Sequence, residues 1–201
     1  MSATPKDRAT FHAMVDGTPD DWAAIMRHAD GYQRDLPNRI VAHLQLLRGD
    51  EDGYAIDRLE HSLQTATRAF EAGEDEEYVV CALVHDIGDT LGPANHADIA
   101  AAIVQPYVSE QNHWMIAQHG VFQGYYFFHH LGLDRDLREQ YRGHPHFEHC
   151  AEFCHRYDQN SFDPALVLTY RFANGAALVS TTGYSRYEYA SAFDTDLTPS
   201  P

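Results

Sequence analysis

The sequence predicts an all-α body followed by a C-terminal appendage of different character. Three observations carry that expectation: helix-start signatures, apolar residues recurring at helical spacing between Gly/Asp-rich breaks, and a change of composition after residue 164. Thr18-Pro19-Asp20-Asp21-Trp22 opens the first helix, with Thr as N-cap, Pro at the first helical position and acids in the first turn. It is expected to run to about Gly31. A second helix follows Leu36-Pro37 and puts Ile40, Val41, Leu44 and Leu47 on one stripe. Gly49-Asp50-Glu51-Asp52-Gly53 is a break, and a third helix covers about Ile56 to Ala72. Glu76 to Val84 is apolar, and its length and Ala/Leu content favour a buried helix ending in His85-Asp86. Gly88 to Asn95 reads as a loop. Ala97–Val104 and Asn112–His119 read as short helices, Tyr125–His130 and Asp134–Tyr141 continue helically, and His146–Tyr157 is another helix.

From Ala165 onward Leu, Val, Thr, Tyr, Ala and Ser dominate. Leu166–Phe172, a turn signal at Asn174-Gly175, and Ala177–Thr181 read as a candidate β-hairpin. Asp194 to Pro201 reads as frayed. The expected organisation is a helical domain over 1–164 and an appendage over 165–201.

Composition excludes several functions. The 201 residues carry 14 Lys+Arg against 30 Asp+Glu, a formal net charge of -16, and 14 His. Lys6 is the only lysine. Such a polyanion lacks the clustered cations that neutralise phosphates, so no nucleic-acid partner is expected. Hydrophobic residues at 44% and charged residues at 22% suit a globular chain. Met1–Trp22 is polar and lacks the apolar core of a signal peptide. No stretch reaches the ~18 apolar residues of a membrane span. A cytoplasmic protein without membrane attachment is expected. Cys81, Cys150 and Cys154 do not form a disulfide framework. Cys150 and Cys154, four apart, read either as a metal pair or as small buried hydrophobes on one helix face.

The sharpest local signal is His85-Asp86. At a helix end a neighbouring His and Asp can reach one point, and a carboxylate there can bridge two metals. His61 lies on the preceding helix, His96 just past the loop, His119 on the next helix, and Asp158 after Tyr157. Four imidazoles and two carboxylates, without thiolate, suit iron, manganese or zinc. Six ligands are too many for one catalytic metal with an open position. They suit two metals bridged by one carboxylate. No GxGxxG or P-loop is present, so no organic cofactor is expected and the metals must carry any redox chemistry.

With Glu60-His61-Ser62-Leu63-Gln64, Leu83-Val84-His85-Asp86-Ile87-Gly88 and the distal Asp158, the sequence resembles the HD-domain superfamily over roughly Trp22 to Pro164. The additional His96 and His119 resemble its diiron version. Arg58-Leu59-Glu60-His61-Ser62-Leu63-Gln64 and the His96-to-His119 spacing look most like the small mixed-valent diiron oxygenases. Those include enzymes that cleave the C–P bond of 1-hydroxy-2-aminoethylphosphonate and its trimethylammonium analogue, with myo-inositol oxygenase more distant. The resemblance implies an HD-type helical bundle, an Fe(II)/Fe(III) pair, a small-molecule substrate and O2. It implies that Asp86 bridges, that His61, His85 and Asp158 hold one iron, and that His96 and His119 hold the other.

Further candidates surround this set. Three residues after Asp86, where many hydrolytic members of that superfamily and some oxygenases place Lys or His, stands Asp89; it would favour an ammonium group over a phosphate, or it caps the following turn or faces solvent. Tyr125 and Tyr126, in Phe122-Gln123-Gly124-Tyr125-Tyr126-Phe127-Phe128, offer faces for a quaternary ammonium or pack the core. Tyr54 and Tyr32 stand in the N-terminal segments where the oxygenase branch uses an aromatic lid, and Tyr54 is the better candidate. Arg142 and Arg156 with Gln64 and Gln123 are donors available to a phosphonate, although surface salt bridges would also account for the arginines. His144 is a candidate pocket wall. The functions in competition are a diiron oxygenase, a metal-dependent phosphohydrolase of the same fold, and a non-catalytic HD-type module.

Overall fold

The computed structural model describes residues 7–49 and 51–164, together with the backbone of 167–171 and 177–181. By its internal packing the chain forms two compact units, 1–43 and 44–201. The boundary expected at 164 marks a change from helix to strand and is not where these units divide.

In the first unit, α1 spans Pro19–Arg34. Its start is the capping box read from the sequence. The Asp21 backbone N–H donates to Thr18 Oγ1 at 3.4 Å, and the Thr18 N–H donates to Asp21 Oδ2 at 3.0 Å. Asp21 is buried and also accepts from the Thr10 N–H at 3.0 Å, so one carboxylate ties the preceding segment to the helix start. The helix passes the expected stop at Gly31 and ends at Asp35. Leu36–Leu44 forms α2 directly afterwards.

In the second unit, α3 covers Arg58–Glu71, α4 Glu76–Val84, α5 His96–Val104, α6 Glu110–Phe127 and α7 Phe147–Arg156. Asp57, Asp75 and Ser109 cap α3, α4 and α6 by accepting from the N–H three residues on. α3 packs on α4, and α6 packs on both α5 and α7. Phe122, Phe153, Met115, Ile116 and Ile87 are fully buried. Cys150 and Cys154 are buried with them, their thiols donating to the Met115 and His119 carbonyls, each at 3.5 Å. This is the hydrophobe alternative, not a metal pair.

The short helix expected at Asn112–His119 and the first part of that expected at Tyr125–His130, through Phe127, are one rod, α6, which passes through Gly120 and Gly124. The glycine at 124 serves packing, because a Cβ there would meet the Phe128 ring. Phe128–Leu131 and Leu137–Tyr141 are single 3-10 turns. After residue 164 the backbone forms an antiparallel hairpin, β1 Val167–Arg171 and β2 Ala177–Thr181, with Val167 opposite Thr181 and Arg171 opposite Ala177. The expected Asn174-Gly175 turn and frayed 194–201 lie outside the described residues. Among the described residues no helix is long and apolar enough to cross a membrane.

Candidate metal centre

Element boundaries place most of the cluster. His61 stands on α3, one turn inside its N-cap. His85 and Asp86 are the first two residues past α4, where the backbone leaves the helix, so neighbouring side chains converge instead of splaying around the axis. His96 is the first residue of α5, His119 lies on the buried face of α6, and Asp158 opens a 3-10 turn after α7.

All six candidates meet at one point. The ligand atoms of His61, His85 and Asp158 lie within 4.8 Å of one another, as do those of His85, Asp86 and His119, and all five residues are buried. His96 joins through its Nε2, 3.2 Å from His119 Nε2 and 3.4 Å from Asp86 Oδ1. The Asp86 carboxylate faces both ways. Its Oδ2 is 3.5 Å from His61 Nε2 and 3.4 Å from His85 Nε2, while its Oδ1 is 3.2 Å from His119 Nε2.

Every imidazole is oriented through its other nitrogen. The Nδ1–H of His61 donates to the Ser161 carbonyl at 2.9 Å, His85 to Ala82 at 2.8 Å, His96 to Pro93 at 3.0 Å and His119 to Ile116 at 2.7 Å. This fixes each tautomer with Nε2 turned inward, as metal-binding histidines require. The His61 and His85 Nε2 atoms then stand 3.1 Å apart. Two lone pairs at that distance repel unless a proton or a cation lies between them. Asp158 Oδ2 is buried without a hydrogen-bond partner, a cost that a native site offsets with an ion or a water. The donor set therefore fits metal ions.

Electrostatics agrees. Burial alone would raise Asp158 and Asp86, but hydrogen bonds and charge from the histidines hold both below the usual carboxylate range. Burial alone would lower His61 and His85, but hydrogen bonding and charge from Asp158 and the charge of Asp86 raise both. Asp86 and Asp158 thus favour the protonated forms of His61 and His85, and a metal binding there competes with those protons.

The remaining candidates divide. Asp89 lies between Arg58 and His96, its Oδ2 3.2 Å from Arg58 Nε and its Oδ1 3.2 Å from His96 Nδ1. Burial and the charge of Asp86 push it above the usual carboxylate range. Both of its oxygens thus face groups of the protein. Tyr54 stands near the cluster. Its ring stacks on Phe162 at 5.1 Å, and Phe162 stacks on His61 at 4.3 Å. Gln123 donates to Asp158 Oδ1 at 2.5 Å and so holds a cluster residue.

Other candidates are committed elsewhere. Gln64 donates to the Asp163 carbonyl at 2.8 Å and accepts the Asp163 N–H at 3.1 Å, which uses both ends of its amide. Tyr125 lies under the guanidinium groups of Arg138 at 3.7 Å and Arg135 at 4.2 Å, so its face is already covered. Tyr126 stands 3.3 Å from His155 Nδ1. Arg142 pairs with Glu139 and Glu148, and Arg156 with Glu152 and Glu74, on the surface. His144 stacks on Trp114 at 4.2 Å. Tyr32 belongs to the first unit, under Arg39 at 3.7 Å.

A cavity of about 530 Å³ opens onto Asp86 and His96, with Tyr54, Arg58, Gln123, Phe127, Phe128 and Tyr141 in its wall. Sequence reasoning missed Arg58 as a site residue. Its guanidinium lies 4.6 Å over the Tyr54 ring and 3.7 Å from Asp86 Oδ2. Burial would lower it, but Asp86 and Asp89 raise it, so it stays charged. The available signal was its position three residues before His61, which puts both on one helix face. Phe127 and Phe128, rather than Tyr125 and Tyr126, turn the aromatic run toward the cavity.

The HD domain family model matches residues 58–149. The match contains His61, His85, Asp86, His96 and His119, and stops before Asp158. Among curated proteins none matches the chain.

Proposed function

We propose, starting from a chain whose residues 58–149 match the HD domain family model, that it is a non-haem diiron oxygenase. Its substrate would be a small hydroxylated anion that reacts with O2. A hydroxyphosphonate, 1-hydroxy-2-(trimethyl)aminoethylphosphonate or a close analogue, is the substrate class that the resemblance favours, and the reaction is cleavage of its C–P bond. The observation that supports two metals is the Asp86 carboxylate, with one oxygen toward His61 and His85 and the other toward His96 and His119. His61, His85 and Asp158 would hold one iron, His96 and His119 the other, and Asp86 both.

When bound, a mixed-valent iron pair would supply O2 activation and accept the substrate's electrons. The protein's share is orientation, exclusion of water and charge. The backbone acceptors on Nδ1 keep each imidazole in one tautomer. Burial of the His61, His85 and Asp158 group excludes water from that side. Arg58, paired with Asp86 and Asp89, is the arginine in the cavity wall and lends positive charge to a bound phosphonate. The Phe127, Phe128 and Tyr141 rings line the same cavity and suit a trimethylammonium group.

Arg58 also favours a second reading, a metal-dependent phosphohydrolase, because a phosphate ester meets the same guanidinium. The two are separated by anaerobic purification, iron counting and EPR after partial oxidation. The oxygenase reading expects a spin-coupled signal that shifts with a hydroxyphosphonate, and phosphate release only with O2. Zinc or manganese content with O2-independent phosphate release from esters would overturn it in favour of the hydrolase.

A further inference from the structure

We infer that Asp89 is a positioning residue that completes the cavity-facing metal position by acting through His96. The inference rests on the two-metal reading above. The two halves of the cluster are built differently. His61, His85 and Asp158 are sealed, with at most 1% of each side chain exposed. The other half faces the cavity, and the His96 side chain is 24% exposed.

His96 is also the least supported of the four imidazoles. His61, His85 and His119 are packed on several sides. His96 stands at the first residue of α5, and its carbonyl acceptor, Pro93, belongs to a three-residue 3-10 turn behind the loop. Among the four, His96 alone has a carboxylate beside its outer nitrogen, Asp89 Oδ1 at 3.2 Å from Nδ1. The Nδ1–H donates to Pro93, so the carboxylate acts on the ring through its charge, which makes the opposite nitrogen, Nε2, a stronger donor to metal.

Asp89 is itself held. Its other oxygen lies 3.2 Å from Arg58 Nε, and Arg58 is anchored on α3, one turn from His61. The line Arg58–Asp89–His96 thus ties the start of α5 to the helix that carries the sealed half, across the loop between α4 and α5. The loop approaches closely enough because residue 88 is glycine; a Cβ there would meet the His96 carbonyl. Both Asp89 oxygens are turned to Arg58 and to the outer face of His96, not to the inward Nε2 atoms. Asp89 is therefore placed to orient a ligand, not to be one.

The test is anaerobic titration of the metal-free full chain with Co(II), read by equilibrium dialysis with metal counting and by cobalt visible absorption. Wild type, Asp89→Asn, Asp89→Ala, His96→Ala and the double variant are compared. Wild type is expected to take up two equivalents. Asp89→Ala is expected to bind the first with unchanged affinity and the second about 10- to 100-fold more weakly, with Asp89→Asn between. On the His96→Ala background, Asp89→Ala is expected to change nothing further, because residues acting as one unit are non-additive. Equal second-equivalent affinity in Asp89→Ala and wild type overturns the inference while leaving the two-metal reading in place. So does a full additional loss in the double variant. Fewer than two equivalents in wild type overturns both. If Asp89→Ala loses helicity by far-UV circular dichroism, Asp89→Asn, which keeps the side-chain volume, decides by the same criterion.

Discussion

His119 reaches Asp86 Oδ1 and His96 Nε2 from one atom, each at 3.2 Å, from the buried side of a long helix. His119→Ala is expected to remove one metal per chain and to lower turnover by more than the about 10- to 100-fold that outer partners are worth. Its far-UV spectrum should stay that of wild type; full retained activity would remove His119 from the site. Gly88→Ala tests the loop. Its methyl would meet the His96 carbonyl, with His96 Cα and Ile99 Cβ each at 2.9 Å. We expect a loss of about 1–3 kcal/mol in urea unfolding; a neutral result would mean that the loop yields freely. At this scale the cluster was legible because imidazole and carboxylate are the side chains whose chemistry names them. The substrate contacts were not. Arg142, Arg156, Tyr125 and Gln64 have donors or faces that suit a ligand, but protein groups claim them first. The Arg156–Glu152 pair was open to reading from its i,i+4 spacing, whereas Gln64 meets Asp163 at a separation of 99 residues, which no local pattern reports.

Helix α6 is joined to α4 at its first turn. Glu77 accepts from the Ser109 N–H and from Asn112 Nδ2, each at 2.7 Å. The hydrogen bonds from Ser109 and Asn112 hold its carboxyl below the usual range. For a depressed acid the stabilisation is present above the unfolded value, near ~4.3, and is lost as pH falls through the folded one. Glu77→Gln is therefore expected to lower stability by about 0.5–1 kcal/mol at neutral pH, with a smaller deficit near pH 4. Urea midpoints of both proteins at the two pH values measure this; a deficit that grows on acidification contradicts it. The capped starts of α1 and the length of α4 were readable in advance. The continuity of α6 was not, because Gly120 and Gly124 look like breaks. A helical glycine costs only about 1 kcal/mol, and at 124 the missing Cβ is what admits the Phe128 ring.

For the molecule as a whole, carboxylates and imidazoles, all but His96 buried, converge from α3, α5, α6 and the ends of α4 and α7, so these helices share one electrostatic centre. Ions that bind only the folded chain stabilise it by mass action, about 2.7 kcal/mol at a hundred times Kd. We expect metal to raise the calorimetric Tm, a chelator to lower it, and His61→Ala to reduce the shift; an unchanged Tm in wild type would count against a resident metal. The helical body and the hairpin after it were legible from periodicity and composition. Composition counts arginines without saying where one of them stands, and Arg58 stands in the cavity wall. The single long α6 has one more consequence, for inheritance. His119 and Phe127 ride on the same rod, roughly 12 Å apart at 1.5 Å per residue, and Phe128 caps its end. Substitutions at the far end can reshape what the chamber admits while His119 keeps its place, so descendants of this fold are free to change diet without rebuilding the hearth.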